Sequence, residues 1–430
     1  MTELTRRAAL TLGGVAALSG AAGAGARDAA NHSSVARDLE TYIGFGAKNA
    51  GGPGDTASGD WMARELEGAG FDIRRHAVQV PVFDLEAAAL HHGEGETAVL
   101  PLYTAPLTQP QGIEGPLVRF SFSQASQLEG AIALIDLPHG RWSTAAAPAI
   151  RSALEAAFGA GALAAVLVTH GPTGDAIQLN VETDGGAANR PTVIVAPHEA
   201  DSLHQLAETQ GRARLVVQGR QGVRPADNIA ATLRRGTGRW LVISTPRSGW
   251  TTCAGERGPG IAAFLALARE AAASFPAHDL LFLCTTGHEF ENHGVMEAIE
   301  AIAPRPADTD LWFHLGAGFA ARDWHEAGAA GLLPLPSPDP QRYLLVADGL
   351  LDLARSAFAG HAGLEMVYPV SAGAAGELGE IARAGYPRCG GMFGAHRFHH
   401  VDGDDARCVD AALVTPVIDS LRQFLRHAAG

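Results

Sequence analysis

The chain of 430 residues has little positive charge. Lys48 is its only lysine, and 32 basic residues stand against 46 acidic ones, which gives a formal net charge of −14. Proteins that bind nucleic acid through its phosphates need clustered Lys and Arg. The sequence offers no such surface, so nucleic acid is not expected as a partner.

Cysteine is also scarce. The four cysteines, Cys253, Cys284, Cys389 and Cys408, are few for a disulfide scaffold. In an exported protein they allow three different pairings, between which the sequence does not choose. Cys284 ends an apolar run, and we expect it to be a buried small hydrophobic residue.

The chain lacks a long apolar run. Spanning a bilayer takes roughly 18 or more strongly apolar residues, and the apolar stretch near the N-terminus is diluted by glycine. It follows Arg6 and Arg7 and ends at Ala24-Gly25-Ala26, a pattern typical of a twin-arginine export signal. Residues 1–26 are therefore predicted to be a signal peptide. The mature chain is predicted to be periplasmic or extracellular, without stable membrane insertion after cleavage.

Hydrophobic residues make up 47% of the chain, enough for a large core, and their spacing divides it into two parts. Short β-like runs with one helical stretch predict a small β-rich module over residues 85–222. In residues 27–84 and 223–430, strands alternate with helices. This alternation predicts an α/β domain whose mostly parallel sheet carries helices on both faces.

The stretch Leu280 to Gly294 is an apolar, strand-like run that stops and then presents His288, Glu289, Glu291 and His293. Open α/β sheets place binding and catalytic groups where buried strands end. The stretch therefore indicates a functional site. A solvated polar loop leading into the next helix is the alternative.

Several short segments resemble one known family in order and spacing. They are Asp227-Asn228-Ile229-Ala230, Glu256 to Ala262, Gly287-His288-Glu289, Gly385-Tyr386-Pro387 and His399 to Asp404. The family is that of the secreted zinc aminopeptidases, metallopeptidase family twenty-eight, which also includes glutaminyl cyclases and glutamate carboxypeptidases. The resemblance implies a zinc-exopeptidase-like fold. The module at 85–222 is similar to the protease-associated domain that is often inserted in this family.

The family binds two zinc ions through a His, a bridging Asp, a Glu, a second Asp and a terminal His, with a further Glu as base. In this sequence those ligand positions hold, in the same order, Pro246, Glu256, Glu289, His314 and His400, while His288 stands at the position of the base. Proline cannot bind a metal, so one ligand is lost.

The resemblance implies a single zinc ion at Glu256, Glu289 and His400, with manganese or cobalt as alternatives. His288 is then the expected base, and His314 a fourth ligand or a group that orients substrate. Three simpler interpretations stay open. Glu256 can be an ion pair with Arg257, the histidines near His400 a solvated acidic loop, and His288 a structural residue.

The function expected from the resemblance is an exported, metal-dependent hydrolase of the aminopeptidase type, acting on a peptide or a small amide. Two alternatives remain. One is a catalytically inactive homologue that binds a peptide or a protein, which the loss of the first ligand at Pro246 favours. The other is aminoacyl transfer like that of the glutaminyl cyclases, which a set of three ligands permits.

Overall fold

The computed structural model describes residues 29, 31–93, 95–123, 128–328 and 331–430, so the predicted signal peptide lies outside the described residues. The helices are α1 (31–44), α2 (Pro53–Gly68), α3 (Pro148–Gly159), α4 (Ala200–Glu208), α5 (Gly258–Ser274), α6 (His293–Ala301), α7 (Leu351–Ala357), α8 (Gly376–Arg383) and α9 (Ala411–Ala429). The strands are β1 (Asp72–His92), β2 (Gly95–Ala98), β3 (Leu100–Pro101), β4 (Ile113–Arg119), β5 (Ile132–Asp136), β6 (Ala164–Val168), β7 (Thr192–Val195), β8 (Arg212–Leu233), β9 (Trp240–Pro246), β10 (Asp279–Thr285), β11 (Thr309–Leu315), β12 (Arg322–Glu326), β13 (Leu332–Pro338), β14 (Arg342–Val346), β15 (Val367–Pro369) and β16 (Cys389–Gly394).

One half of the main sheet has the strand order β15-β14-β16-β11-β9-β10-β8. Its centre is parallel, because β9 pairs in parallel with β10 and β11, and β11 pairs in parallel with β16. Every residue of β10 is buried, as expected for a parallel strand covered on both faces. The predicted α/β fold with a mostly parallel sheet is confirmed.

The other half of the sheet has the order β8-β4-β5-β6-β7-β3 and belongs to the predicted inserted module. Strands β1 and β8 form a long antiparallel ribbon, from Asp72 opposite Thr232 to His92 opposite Ala213, that runs through both halves. Asp84 lies opposite Arg220, so the predicted ends of the module fall near one another on this ribbon. The division at 85–222 is consistent with this ribbon and stays a prediction.

Helices cover both faces of the main sheet. Helices α5 and α9 pack together on one face, where residues of β9, β10 and β11 share their core. Helices α6 and α8 lie against the other face. The apolar stripe predicted for the last helix, Leu413, Val417, Leu421 and Leu425, is buried. The side chain of Asp410 caps that helix by accepting a hydrogen bond from the Ala412 N–H at 2.9 Å.

Within the described residues, no helix combines the length and the apolar character that crossing a membrane requires. The four cysteines are buried, and none is paired with another in the described part of the chain. Cys284 is fully buried in the core, as its place in an apolar strand predicts.

Candidate functional site

The predicted site residues gather where the parallel strands end. His288 and Glu289 follow β10, His314 is the penultimate residue of β11, and His400 lies in the loop after β16. Ser248, which the sequence did not single out, follows β9. Parallel strands bring their carboxyl ends to one edge of the sheet, and loops there face a common crevice. The fold therefore brings residues that are far apart in the sequence to one site.

Glu256 and His400 are in direct contact, with 3.1 Å between Glu256 Oε1 and His400 Nε2. The other ring nitrogen, His400 Nδ1, lies 2.9 Å from the carbonyl oxygen of Gln178. A carbonyl only accepts hydrogen bonds, so Nδ1 carries a proton. In the neutral ring Nε2 then holds a lone pair that faces the carboxylate. A positive charge, either a proton or a metal ion, relieves the repulsion between these two acceptors.

His399 belongs to the same group, although the sequence did not single it out as a ligand. Its ring stacks on that of His400 with a centroid distance of 4.0 Å. Its Nε2 lies 2.9 Å from the hydroxyl of Ser143, and its Nδ1 is buried without a hydrogen-bond partner among the described residues. Glu256, His399 and His400 each present a ligand atom within 4.8 Å of the others. All three are buried, so the alternative of a solvated loop does not apply to them.

Arg257 supplies the site with a permanent cation. Its Nη2 lies 2.8 Å from Glu256 Oε1, and both side chains are only 1% exposed. Its Nε donates to the Ser248 carbonyl at 2.9 Å, while Nη1 and Nη2 lack a well-directed hydrogen-bond acceptor among the described residues. The ion pair that the sequence suggested as an alternative role for Glu256 is therefore present, and it is buried.

Glu289, the third predicted ligand, is not in the group formed by Glu256 and His400. Its Oε1 accepts a hydrogen bond from the Ala50 N–H at 2.7 Å, and its Oε2 accepts one from the Ser248 hydroxyl at 2.6 Å. Both carboxylate oxygens thus have partners within the protein. Of the three predicted ligands, the structure brings two together and places the third against Ser248.

A second carboxylate group surrounds Glu377, the second residue of α8, which sequence reasoning missed. Glu377 Oε1 lies 3.3 Å from His288 Nδ1, and Glu377 Oε2 lies 3.9 Å from His314 Nδ1. The Thr285 hydroxyl lies 3.0 Å from both oxygens, and the Ser244 hydroxyl lies 2.9 Å from His314 Nδ1. In the sequence Glu377 is one acidic residue in a Gly/Ala-rich stretch, and nothing near it signals its position.

These carboxylates differ in acidity although all are fully buried. Burial on its own raises the pKa of Glu256, but the Arg257 guanidinium and His400 outweigh it and hold that pKa well below its usual value. Burial raises the pKa of Glu377, and it raises the pKa of Glu289 to about 7, because no adjacent ion pair compensates. Of the three carboxyls, only Glu256 therefore has a pKa below its usual value.

Burial favours the neutral form of three histidines of the site, His288, His314 and His399. Burial lowers the pKa of His288 well below its ordinary value, and the nearby positive charge of Arg257 lowers it further. Burial likewise lowers the pKa of His314 to about 4 and that of His399 well below normal. A neutral imidazole keeps a lone pair with which it can bind a metal or accept a proton, although burial makes it a weaker base than an exposed histidine.

A cavity of about 260 Å³ lies beside the residues around Glu377 and the pair His399 and His400. Its walls include Glu377 with its neighbours His288 and His314 on one side. His399 and His400, the neighbours of Glu256, form another part of the wall. Residues of the predicted module also line it, namely Ser143, Thr144 and Asn180. Residues within the range 85–222 thus form part of the wall of the cavity.

Backbone strain is concentrated around the site. Five non-glycine residues of the described chain have positive φ, and four of them, Cys253, Glu291, Asn292 and His400, lie within a few residues of the groups above. Such conformations cost energy outside glycine and are common at functional sites, where the surrounding structure maintains them. At His400, with φ of +62°, the strain helps to place the ring between Glu256 and Gln178.

The fold resembles those of several solved structures. The zinc aminopeptidase BSAP of Bacillus subtilis superposes with a TM-score of 0.71 at 16% identity, covering 93% of this chain and 94% of the other. The aminopeptidase of Aneurinibacillus sp. strain AM-1 gives a TM-score of 0.65 at 16% identity, covering 92% and 93%. A peptidase M28 precursor of Shewanella amazonensis SB2B gives 0.65 at 17% identity, covering 94% and 97%.

No protein-family model matches the sequence, and no curated protein matches it. At the identities of the solved structures, the likeness shows a shared fold. It confirms the predicted zinc-exopeptidase-like architecture over more than nine-tenths of the chain.

Proposed function

We propose that this protein is a metal-dependent hydrolase of peptide or amide bonds, with one zinc ion held by Glu256, His399 and His400. The observation that carries the proposal is the buried group of one carboxylate and two imidazoles beside the cavity. One carboxylate and two histidines form a known catalytic zinc set. The zinc aminopeptidases that share the fold support the choice of metal, and manganese and cobalt also suit these donors.

The donor atoms of this chain fit a metal ion. His400 donates Nδ1–H to a backbone carbonyl, which is the usual way a protein orients a metal-binding histidine. Its Nε2 faces Glu256 Oε1 at 3.1 Å, and the buried Oε2 of Glu256 and the buried Nδ1 of His399 have no hydrogen-bond partner among the described residues. When bound, a zinc ion polarises a substrate carbonyl and lowers the pKa of water.

His288 is the proposed base, as the sequence predicts. Glu377 lies beside Nδ1 of His288 at 3.3 Å and orients the ring, which leaves Nε2 as the proton acceptor. Because the ring is neutral, it can take a proton from water in the cavity. His314, which contacts Ser244 and Glu377, is proposed to orient substrate in the same cavity.

The substrate is proposed to be small. At about 260 Å³ the cavity is smaller than most sites for drug-sized ligands, and the inserted module closes one side of it. This favours the end of a peptide, or a small amide, over a long internal stretch of polypeptide. Aminoacyl amides and N-terminal glutaminyl peptides are the substrates to try first, since the second class also covers the transferase alternative.

The test combines metal content with turnover. Elemental analysis of the purified protein is expected to find bound zinc, and Glu256→Gln is expected to lose it. His288→Ala is expected to lower turnover by roughly 10² to 10⁴ with metal content unchanged, because base removal affects proton transfer only. His293→Ala is the matched control, since this histidine follows closely in the chain and contacts the Gln79 carbonyl outside the cavity. A metal-loaded protein that is inert on amides, peptides and esters would contradict the proposal.

One observation favours a second candidate function, a non-catalytic module that binds a peptide or a protein. Arg257 already provides Glu256 with a buried cation, so the carboxylate does not depend on a metal for its counter-charge. Under this alternative Glu256, His399 and His400 hold no metal, so Glu256→Gln leaves the metal content unchanged, and a peptide ligand binds equally well to the wild type and to His288→Ala.

Export by the twin-arginine route is proposed on the basis of Arg6, Arg7 and the mild apolar run that follows them. Replacing both arginines by lysine is expected to stop translocation. Accumulation of the unmutated protein in the cytoplasm would contradict this part of the proposal.

A further inference from the structure

A second group of metal-binding residue types lies close to the proposed active site but outside its cavity. It consists of His396, Asp404 and Cys408, whose ligand atoms lie within 4.8 Å of one another. All three side chains are 0% exposed, and none lines the 260 Å³ cavity. The proposed function uses none of them.

His396 is the anomaly in this group. Its ring is fully buried, yet neither Nδ1 nor Nε2 has a hydrogen-bond partner among the described residues. Its Nε2 is 3.6 Å from Asp404 Oδ2, too far for a hydrogen bond. Burying a polar group without a partner is unfavourable, so such a group calls for an explanation.

The spacing suits two ligands of one ion. Nitrogen and oxygen ligands lie about 2.0 to 2.2 Å from a tetrahedral zinc ion, which places two of them roughly 3.2 to 3.6 Å apart. The 3.6 Å between His396 Nε2 and Asp404 Oδ2 falls at the upper end of that range. A distance that is poor for a hydrogen bond is therefore suitable for shared coordination.

Gly255 packs against all three side chains of the group. A Cβ atom added to this glycine would lie 2.8 Å from Cε1 of His396, 2.9 Å from Oδ1 of Asp404 and 2.9 Å from Cβ of Cys408. Gly255 does not have a positive φ, so its backbone conformation does not require glycine. A larger residue here would instead push the three side chains away from their present positions.

We propose that His396, Asp404 and Cys408 form a second, structural site for a divalent metal ion of the zinc class. Imidazole, carboxylate and thiolate together favour zinc, and cobalt is its spectroscopic substitute. As the ion binds, the thiol of Cys408 releases its proton to solvent. A dication with one carboxylate and one thiolate has no net charge, which suits a fully buried site.

The role of the site follows from the contacts of Asp404. Its Oδ1 accepts a hydrogen bond from the Gly255 N–H at 2.7 Å, and its Oδ2 accepts one from the Glu256 N–H at 3.0 Å. The segment from His396 to Asp404 also carries His399 and His400. An ion here fixes this segment against the segment that carries Glu256, and so positions residues of the proposed active site without touching substrate.

The experiment uses the full protein produced with cobalt(II) in place of zinc. A thiolate bound to cobalt gives a charge-transfer band in the near ultraviolet, which imidazole and carboxylate ligands do not give. We expect this band in the wild type and expect Cys408→Ser to lose both the band and one ion per chain. Cys253→Ser is the matched control and is expected to keep both, because Cys253 is an equally buried thiol that belongs to neither group of candidate ligands.

Glu256→Gln separates this inference from the proposed function. It is expected to lose the active-site ion and to keep the cobalt–thiolate band, which supports the second site even if the protein proves inactive. Retention of the band and of the ion count in Cys408→Ser would overturn the inference, as would a cobalt-loaded wild type without the band. If Cys408→Ser does not fold, X-ray absorption of the cobalt-loaded Cys253→Ser protein replaces it. A sulfur ligand on cobalt in that variant cannot come from Cys253 and supports the inference. Absence of sulfur from the cobalt coordination would overturn it.

Discussion

Glu256 and Glu377 are two buried carboxylates with similar neighbours and opposite behaviour. Each is 1% exposed and lies near two histidines, His399 and His400 for the first, His288 and His314 for the second. The pKa of Glu256 is held well below its usual value, whereas burial raises the pKa of Glu377. The difference between them is Arg257, whose guanidinium lies 2.8 Å from Glu256.

Glu256 and Glu377 show that burial beside histidines does not by itself decide whether a carboxylate binds a metal ion or orients a base. Burial disfavours the charged form of a carboxyl, and only a fixed positive charge or several strong hydrogen bonds reverse that preference. Arg257 reverses it for Glu256, which is then suited to hold a cation. Glu377 has only neutral histidines and a hydroxyl beside it, so it is suited to orient a base.

The largest effect on stability is expected when Arg257 loses its ion-pair partner Glu256. In chelator-treated protein, Glu256→Gln leaves Arg257 buried without a counter-charge and should lower the free energy of unfolding by about 3 to 5 kcal/mol. Denaturant unfolding measures this loss. Adding Arg257→Met to the variant should recover most of it, because the unpaired charge is then removed as well.

Asp60→Asn is the control for this prediction. It breaks the Arg75–Asp60 pair, whose side chains are 41% and 45% exposed, and should cost less than about 1 kcal/mol. Equal losses for Glu256→Gln and Asp60→Asn, or no recovery in the double variant, would show that the buried pair does not set the difference between the two carboxylates.

The next effect concerns Glu289, a third buried carboxyl, and it depends on pH. Burial raises its pKa from 4.5 to about 7, so the native state binds its proton more tightly than the unfolded state does. Its contribution to stability is therefore complete below pH 4.5 and is lost as the pH rises to about 7. The shift corresponds to about 3 kcal/mol of stability, which the wild type loses between pH 4.5 and about 7. Glu289→Gln has no titrating group at this position and should not show this loss.

Melting temperatures of the wild type, Glu289→Gln and the surface control Glu300→Gln between pH 4.5 and 8 test this prediction. The wild type should lose stability relative to Glu289→Gln as the pH rises, and the control should follow the wild type. Loss of bound metal in Glu289→Gln at neutral pH would instead restore Glu289 to the ligand set that the sequence predicts.

Much of the fold could be predicted from the sequence, because apolar periodicity reports which faces are buried. The β10 run and the stripe of α9 are examples, and both are buried as expected. The site could be predicted only in part. His288, Glu289 and His400 lie in segments that the sequence makes recognisable. Glu377 lies on α8, about ninety residues after His288, and no local sequence pattern shows that the fold brings the two side chains together.

His399 and Arg257 illustrate a different limit. Both stand next to predicted ligands in the sequence, yet neighbours in a loop point in directions that depend on backbone dihedrals. The positive φ of His400 helps to place the rings of His399 and His400 in a stack at 4.0 Å. The sequence shows three histidines near one another, but which of them face Glu256 follows from that strained backbone.

A smaller effect is expected from Glu377→Gln. The amide keeps the shape of the side chain but orients His288 less well, so kcat should fall roughly 10- to 100-fold with little change in KM. Stability at neutral pH should be unchanged or slightly higher, since a buried carboxyl with a raised pKa is removed. Glu380→Gln on the same helix is the control and should leave kcat unchanged. A loss of bound metal in Glu377→Gln would contradict the positioning role.

The smallest effect is expected from Ser143→Ala, which decides what His399 does. If His399 binds metal through Nδ1, the Ser143 hydroxyl at 2.9 Å from Nε2 only orients the ring, and its loss should weaken metal binding about tenfold. Activity at saturating metal should then stay close to that of the wild type and of the control Ser202→Ala.

A serine beside a neutral histidine and near an ionised glutamate is, however, also the layout of an activated nucleophile. If Ser143→Ala abolishes turnover without changing metal content, Ser143 is the nucleophile, and His399 with Glu256 serves it instead of a metal ion.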